Sequence, residues 1–273
     1  PATGRMGYAC VLGALGEMRA LCVYRGAEGF DVHRRMRKGE FNRRPMDVIA
    51  VQDCLMAEFA DREELDKPDL AVIRKLGLRP RGPQNWPLFR SHLPGCPPWH
   101  LTESEAVYLA LALRRARDAA GRVIAGRLNL TEKPGQVLCY AHEDGAAGPE
   151  TRWEPEPVHR LQPPAPFLLD AGTVARLKNR PLEADGVWEA DVSRLPAALT
   201  DRDRPYFANN AVVVHQASFF IIHSLIAPPE TAAPQALGEA LLEAIETSGR
   251  LPGEVHVRDG ALAACLAPLG QAL

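Results

Sequence analysis

The stretch AVVVHQASFFIIHSLIAPP, residues 211–229, contains two apolar runs separated by a short polar segment. β-branched and aromatic residues dominate both runs, which predicts two antiparallel strands joined by a turn near residues 216–218. His215 and His223 interrupt the runs and raise the question of a metal or catalytic site. If His223 pairs near residue 210 or 211, strand spacing of about 3.3 Å per residue separates the histidines by roughly 13–17 Å. One zinc ion, with nitrogen ligands at about 2.1 Å, cannot bridge them, so we interpret both as sheet residues.

The segments around this hairpin predict a compact second module. VWEADV at residues 187–192 has the pattern of an edge strand, and EVHVRD at residues 254–259 predicts a later strand. Between the hairpin and the later strand, apolar residues recur at helical spacing up to Gly249, which can adopt the left-handed conformation after a helix. A last helix is predicted by the apolar residues Leu262, Cys265, Leu266, Leu269 and Leu273. The resulting order is β-β-α-β-α, which brings ribonuclease-H-like folds to mind.

The first module also begins with a predicted hairpin, at residues 7–26, where two apolar runs flank a glycine-containing turn. We expect a further strand upstream, because the chain enters this pattern almost at once. A helix is predicted to begin at Asp47, since four apolar residues share one helical face. These residues are Val48, Val51, Leu55 and Phe59.

Three further patterns complete the first module. A short helix is predicted at residues 69–77, with Asp69 as its N-cap and Gly77 after its last turn. Residues 79–101 contain six prolines and two glycines, which predicts an irregular loop. Thr102, with Glu105 three residues later, has the spacing of a capping box and predicts the start of a long helix.

A stretch rich in proline and glycine precedes the second module and indicates a domain boundary. We place this boundary so that the modules are residues 1–162 and 163–273. The sequence therefore predicts an α/β fold, with α+β as the alternative, in two modules that each contain an apolar hairpin followed by helices.

Composition limits the classes of function. The formal net charge is −2, with 21 Lys+Arg against 15 Asp+Glu in residues 1–130 and 11 against 19 in the remainder. This balance disfavours broad binding of nucleic acid through its phosphates, although it leaves open a local contact with nucleic acid. No apolar run is long enough for a membrane helix, so we expect a soluble protein that does not bind membranes. The six cysteines lie far apart without a C-x-x-C pair, which favours reduced thiols in the cytoplasm.

Two segments are candidates for a binding surface. The basic run HRRMRKGEFNRR, residues 33–44, contains Arg34, Arg35 and Arg37 and is the best candidate for binding an anion. An ordinary solvated basic segment is nevertheless the favoured interpretation, because the run lacks a glycine-rich phosphate loop. The proline-rich loop carries the aromatic residues Trp86, Phe89 and Trp99, which we expect to be held across a surface or groove.

The same loop contains a possible set of zinc ligands. His92, Cys96 and His100 are spaced four residues apart, and histidine and cysteine are the usual ligands of zinc. No fourth ligand stands at a customary spacing, however, so we favour a structural role for all three. We predict no metal or other cofactor.

Two aspartates are candidates for a catalytic site. Asp259 ends a predicted strand and Asp191 lies on another, an arrangement that can hold Mg²⁺ in two-metal nucleases. The hairpin strand that should supply a further acid carries Val213, Val214 and His215 instead. Asp259 also stands directly before the last helix, so N-capping explains it without a metal.

Three segments together resemble a known family. They are YACVLGALGEMRALCVYRGAEGF at residues 8–30, WPLFRSHLPGCPPWHL at residues 86–101, and RPYFANNAVVVHQ with GRLPGEVHVRD at residues 204–216 and 249–259. They resemble an uncharacterised bacterial family that joins two domains of unknown function. The resemblance covers most of the chain but implies no activity, substrate or catalytic residue. In that family the position of His215 is often acidic and Cys96 is not fixed, which weakens both the carboxylate and the zinc hypotheses here.

We therefore expect a non-catalytic, cytoplasmic binding or interaction protein from a bacterium. Its partner is expected to be a protein or an anionic small molecule, recognised by the aromatic loop and the basic run. The alternative is a metal-dependent phosphodiesterase or nuclease of degenerate ribonuclease-H-like type that uses Asp259 and Asp191.

Overall fold

The protein consists of two compact units. The computed structural model describes residues 6–13, 15–42, 45–141, 150–159 and 163–273. One unit comprises Pro1–Pro94 and Pro98–Arg160, and the other comprises Gly95–Pro97 and Leu161–Leu273. Both contain helices and β-sheet, so the predicted mixed α/β class is confirmed. The predicted boundary after residue 162 falls at residues outside those described.

The first unit is built on a four-stranded antiparallel sheet. Its strands are β1 (Gly7–Leu12), β2 (Ala20–Arg25), β3 (Cys54–Ala60) and β4 (Trp86–His92), in the order β1-β2-β3-β4. Strand β2 is apolar along almost its whole length and is buried from Ala20 to Tyr24, as expected for an inner strand covered on both faces. The predicted hairpin of β1 and β2 is confirmed.

Helices cover both faces of this sheet. They are α1 (Gly26–Arg37), α2 (Lys67–Lys75) and α3 (Glu103–Ile124), and a separate hairpin of β5 (Gln136–Ala141) and β6 (Glu150–Pro155) follows. On one face, Leu109 of α3 packs against Val23 and Leu55 of the sheet. On the other face, Ile73 of α2 packs against Leu88. The predicted capping box of α3 is present, with the Glu105 N–H donating to the Thr102 hydroxyl.

The predicted helix from Asp47 is wrong. Only a 3-10 turn forms at Pro45–Ala50, and the chain then continues as strand β3. The apolar residues fit a helical period, but β2 and β4 flank this segment and pair with it on both sides. Pairing with two neighbouring strands satisfies every backbone group of an inner strand, and this tertiary gain overrides the local period.

The expectation of an irregular loop over residues 79–101 is wrong at its centre. Residues Trp86–His92 form β4, which pairs with β3 along its whole length. Pro87 is compatible with this strand because β4 is at the edge of the sheet, where a missing N–H costs no ladder hydrogen bond. Proline content alone therefore concealed an edge strand.

The second unit also contains a four-stranded sheet, with helices on one face. In chain order its elements are α4 (Ala171–Leu177), β7 (Leu182–Arg194), β8 (Asn209–His215), β9 (Phe220–Ala227), α5 (Ala233–Ser248), β10 (Leu251–Val257) and α6 (Gly260–Ala272). The strand order is β10-β7-β8-β9, in which β10 runs parallel to β7 and the other pairs are antiparallel. Helices α5 and α6 share one apolar cluster with the inner strands. Gly249 ends α5 in the left-handed conformation, as predicted.

Two details of this sheet differ from the prediction. VWEADV lies within β7, which is an inner strand rather than an edge strand, so the order is β-β-β-α-β-α. The strand beside β10 is therefore β7 and not a strand of the hairpin. His223 pairs with Val213, because a bulge near Val213 and Val214 shifts the register of β8 and β9.

In the core of the second unit, the segment that precedes α4 packs closely against helix α5. Phe167 is 4 % exposed and lies against Gly238 of α5. A Cβ atom at Gly238 would lie 2.4 Å from the Phe167 ring, so only glycine fits this position. Within the described ranges, no helix combines the length and the apolar character needed to cross a membrane.

Candidate functional sites

The predicted basic run lies mainly on helix α1, where acidic residues balance its charge. Each of its three candidate arginines forms an ion pair with a glutamate of the first unit. The pairs are Arg34–Glu156 at 3.2 Å, Arg35–Glu40 at 2.7 Å and Arg37–Glu132 at 3.0 Å. Arg43 and Arg44 of the same run lie outside the described residues. The described part of the run is therefore a charge-balanced surface, which attracts an anion much less than three unpaired arginines would.

The predicted aromatic residues do not form one surface. Trp86 and Phe89 are three positions apart on β4, so their side chains point to opposite faces of the sheet. Trp86 packs with the α2 cluster, and the Arg62 guanidinium lies 5.6 Å from its ring centre. Phe89 is 38 % exposed on the other face. Trp99 forms a backbone bridge with Ser91, which anchors the loop to the edge of the sheet.

The predicted zinc ligands belong to different surroundings. His92 ends β4, whereas Cys96 is part of the Gly95–Pro97 segment that belongs to the second unit. His100 contacts Asp66, with 3.0 Å between its Nε2 and an Asp66 carboxylate oxygen. Among the residues that the structure describes, Asp66, Asp69 and His100 form the one group of three potential ligands within 4.8 Å of one another.

This group is an ion-pair network that anchors helix α2. Asp66 and Asp69 form a capping box, in which each side chain accepts the other's backbone N–H at 3.0–3.1 Å. The Arg90 guanidinium donates to both Asp69 oxygens, at 2.9 and 2.6 Å. Burial opposes ionisation of Asp69, but hydrogen bonds from Arg90 and the Asp66 N–H outweigh it and lower the pKa of Asp69. The carboxylate oxygens are thus already engaged, and a cation would compete with Arg90.

The two candidate catalytic aspartates have separate contacts. Asp259 is the N-cap of α6, and its carboxylate accepts the N–H groups of Ala261 and Leu262 at 2.7 and 3.3 Å. Asp191 of β7 forms an ion pair with Arg258 at 2.7 Å. In the described part of the chain, neither aspartate belongs to a group of three potential ligands within 4.8 Å of one another.

The hairpin histidines also have separate partners. The Nδ1 atom of His215 lies 2.9 Å from the Ser218 hydroxyl in the β8–β9 turn. The Nε2 atom of His223 lies 2.7 Å from a Glu243 carboxylate oxygen of α5. The corrected register brings the histidines nearer than we predicted, yet each is engaged by a different neighbour, and the interpretation as sheet residues holds.

A buried charge network in the first unit was missed by the sequence analysis. Arg25, at the end of β2, donates to Asp53 at 2.5 Å and to Glu105 of α3 at 2.7 Å. The Ser91 hydroxyl donates to the same Glu105 oxygen as Arg25, at 2.7 Å. The side chains of Arg25, Asp53 and Glu105 are only 13–15 % exposed. Their carboxylates and guanidinium are mutually satisfied, which suits a network that ties α3 to the sheet.

An apolar groove in the second unit was missed as well. It has a volume of about 420 Å³ and lies between strand β10 and helix α6. Its floor is buried and includes Leu251, Leu266 and Leu269, whereas Val255 of β10 and Ala267 of α6 are exposed at its rim. The volume lies within the roughly 300–1,000 Å³ of ordinary ligand sites.

The strand that borders this groove has a free edge. In the described chain, β10 pairs with β7 alone, so the backbone groups on its other side have no strand partner. Among the described residues that line the groove, Glu254 alone has an ionisable side chain, and its carboxylate lies 3.0 Å from His256 Nε2. The sequence of α6 did contain a signal for this groove. Apolar residues occur on all sides of the helix, which is more than one buried face requires.

Two family models together match most of the chain. Residues 1–139 match the model described as domain of unknown function DUF7309, and residues 173–273 match the model described as domain of unknown function DUF6930. The chain therefore belongs to the DUF7309 family and carries a DUF6930 domain in its second unit. The resemblance to a family that joins two domains of unknown function is confirmed. No curated protein and no solved structure shows significant similarity to the chain.

Proposed function

We propose that the protein is a non-catalytic binding protein of the bacterial cytoplasm. Its ligand is an extended, apolar segment of another protein, held in the groove between β10 and α6. The observation that carries this proposal is the combination of a free strand edge with an apolar groove of about 420 Å³ beside it. An extended peptide can add to a free edge through its backbone and place alternate side chains in pockets beside the strand.

The lining of the groove determines the chemistry of the ligand. Backbone groups of β10 select an extended conformation, because a strand offers donors and acceptors at the spacing of another strand. The leucine and valine side chains of the lining favour apolar side chains at every second position of the ligand. Glu254 stands alone among them and favours a lysine or arginine of the ligand near its end of the groove.

Other features of the chain agree with a cytoplasmic, non-catalytic role. All six cysteines are free thiols, which suits a reducing compartment. Recognition of an anionic small molecule by Arg34, Arg35 and Arg37 has less support, since each is paired with a glutamate. The nuclease alternative has less support too, because capping and the Arg258 ion pair account for Asp259 and Asp191.

Selection from a random peptide library tests the proposal. The full chain is immobilised and used to enrich displayed peptides, and the same selection is made with Ala267→Trp, which fills the groove. Ala264→Trp is the matched control, because Ala264 is exposed on the same helix but does not line the groove. The wild type and the control should enrich peptides with alternating apolar residues, and Ala267→Trp should lose them by at least about tenfold in affinity, or about 1.4 kcal/mol.

Two results would contradict the proposal. One is the absence of any peptide enriched by the wild type over an empty surface. The other is enrichment of the same peptides by Ala267→Trp and by the wild type, with circular dichroism showing that both are folded.

A further inference from the structure

The opposite edge of the same sheet is formed by β9, which is unusually apolar for an edge strand. Its sequence, FIIHSLIA, contains no Lys, Arg, Asp or Glu and no proline. Four side chains of the strand and its preceding turn are exposed to a large extent. They are Phe219 at 83 %, Phe220 at 68 %, Ile221 at 57 % and Ile226 at 57 %. A long apolar edge of this kind is a template for pairing with another strand.

The other edge strand of this sheet, β10, is less suited to pairing with a second copy of itself. Strand β10 contains Pro252, and its register with β7 shifts between Pro252 and Glu254. It also exposes Glu254 and His256. Proline, a bulge and charged residues are the usual devices that keep edge strands from joining each other. Strand β9 has a bulge toward β8 but lacks the proline and the charges.

We infer that the free edge of β9 pairs antiparallel with β9 of a second copy of this chain. The sequence of the strand is suited to a two-fold axis at its centre. Ile222 is the extra residue of the bulge, so Ile221 and Ile226 lie the same number of ladder positions from Ser224. Ser224 pairs with Val212, and the partners of the two isoleucines stand two residues to either side of Val212. Their partners on β8 are Val214 and Asn210, which alternate with the buried Val213 and Ala211, so both isoleucines point away from α5.

A two-fold axis therefore brings Ile221 of each copy beside Ile226 of the other. Both isoleucine pairs leave water at the same time as the backbone groups of the two edges become hydrogen-bonded. Each contact is made twice, as in any interface whose two sides are the same surface. The pairing uses both β9 edges and leaves no further β9 edge exposed, so it produces a closed dimer rather than a filament.

The charges around β9 do not oppose this arrangement. Identical strands bring identical charges together, and β9 has none to bring except at His223. The Glu243 carboxylate of α5 lies 2.7 Å from His223 Nε2 and is therefore directed at this histidine rather than at the second copy. A second copy is thus favoured over a partner chosen by charge, because the strand has no Lys, Arg, Asp or Glu and offers mainly apolar and backbone groups.

The oligomeric state of the full chain tests the inference. Sedimentation equilibrium from low micromolar to near millimolar concentration should give a mass that rises from 29.8 kDa toward about twice that value. Ile226→Lys places a charged side chain against Ile221 of the second copy in both halves of the interface and should weaken the dimer at least tenfold. His256→Lys is the matched control, because it adds the same charge at an exposed position of the opposite edge strand and should leave the dimer unchanged.

Hydrogen exchange provides a second measurement on the unaltered protein. The outward backbone amides of residues 220–227 should become more protected as the concentration rises. A wild type that remains monomeric, with these amides exchanging rapidly at every concentration, overturns the inference and leaves the edge for a different protein. Persistence of the dimer in folded Ile226→Lys overturns it too, and so does its loss in His256→Lys. If Ile226→Lys does not fold, hydrogen exchange of the wild type decides the question.

Discussion

The two units are held together by different kinds of interaction. The first unit has several small apolar clusters and a buried network in which Arg25 joins Asp53 and Glu105. The second unit gathers residues of the sheet, α5 and α6 in one large apolar cluster. Stability of the first unit therefore requires that its enclosed charges stay paired, in addition to packing, whereas stability of the second depends mainly on packing. The second unit also exposes apolar residues at the two edges of its sheet, and these edges are where we propose that partners bind.

Among the variants that test this comparison between the units, Arg25→Met is expected to have the largest effect on stability. The substitution keeps an apolar stem but leaves the Asp53 and Glu105 carboxylates without their guanidinium in a site only 13 % exposed. Removal of one partner from such a pair should lower the free energy of unfolding of the first unit by about 3 kcal/mol. Hydrogen exchange resolved by residue can measure this for each unit separately.

A surface arginine is the control for that variant. Arg35→Met removes an ion pair with the exposed Glu40 and should change stability little. Equal losses in the two variants would contradict the claim that the buried network stabilises the first unit in particular.

The second prediction concerns pH. Burial disfavours the charged form of Glu105, but hydrogen bonds from the Thr102 N–H, Ser91 and Arg25 outweigh it and lower the pKa of this carboxyl below its usual 4.5. A lowered pKa in the folded state means that the stabilisation is complete above the usual value and is lost as the pH falls through the folded value. The loss of stability caused by Glu105→Gln should therefore be largest near neutral pH and shrink as the pH falls below about 4.5.

An apolar substitution in the second unit provides the comparison for this pH series. Leu237→Ala creates a cavity in the fully buried core and should cost about 3 kcal/mol. No carboxylate is removed, so this loss should be nearly constant over the same pH range. A constant penalty for Glu105→Gln would show that its charge does not contribute to folding.

The smallest expected effect concerns the helix that borders the groove. Asp259→Ala removes the N-cap of α6 and should destabilise the second unit by about 1 kcal/mol, measured by urea unfolding. Asp191→Ala removes only an exposed ion pair and should cost less. If Mg²⁺ stabilised the wild type but neither variant, the capping interpretation would be wrong and the nuclease alternative would be favoured.

Local sequence patterns were sufficient for the elements that depend on neighbouring residues. The β8–β9 hairpin, the Thr102 capping box and the end of α5 at Gly249 all follow from residues a few positions apart. Patterns failed where distant strands decided the outcome. The apolar residues of β3 fit a helical period, and only the flanking strands β2 and β4 make this segment a strand.

The sites were harder to predict than the elements. Arg25 and Glu105 are 80 residues apart, and no spacing rule connects them. The groove depends on how α6 lies beside β10, which the sequence of neither element specifies. The aromatic residues were recognised as notable, but without the strand at Trp86–His92 their placement on opposite faces could not be foreseen.

The contact between Phe167 and Gly238 has a consequence for how the second unit can be isolated. The matched domain begins at residue 173, six positions after Phe167. The Phe167 ring is nevertheless part of the core, and its N–H donates to the Cys265 carbonyl of α6 at 2.9 Å. A fragment cut at residue 173 would therefore expose the glycine surface of α5 and release one tether of α6. The stretch that relatives share is thus shorter than the stretch that must be expressed for the unit to fold with its core filled.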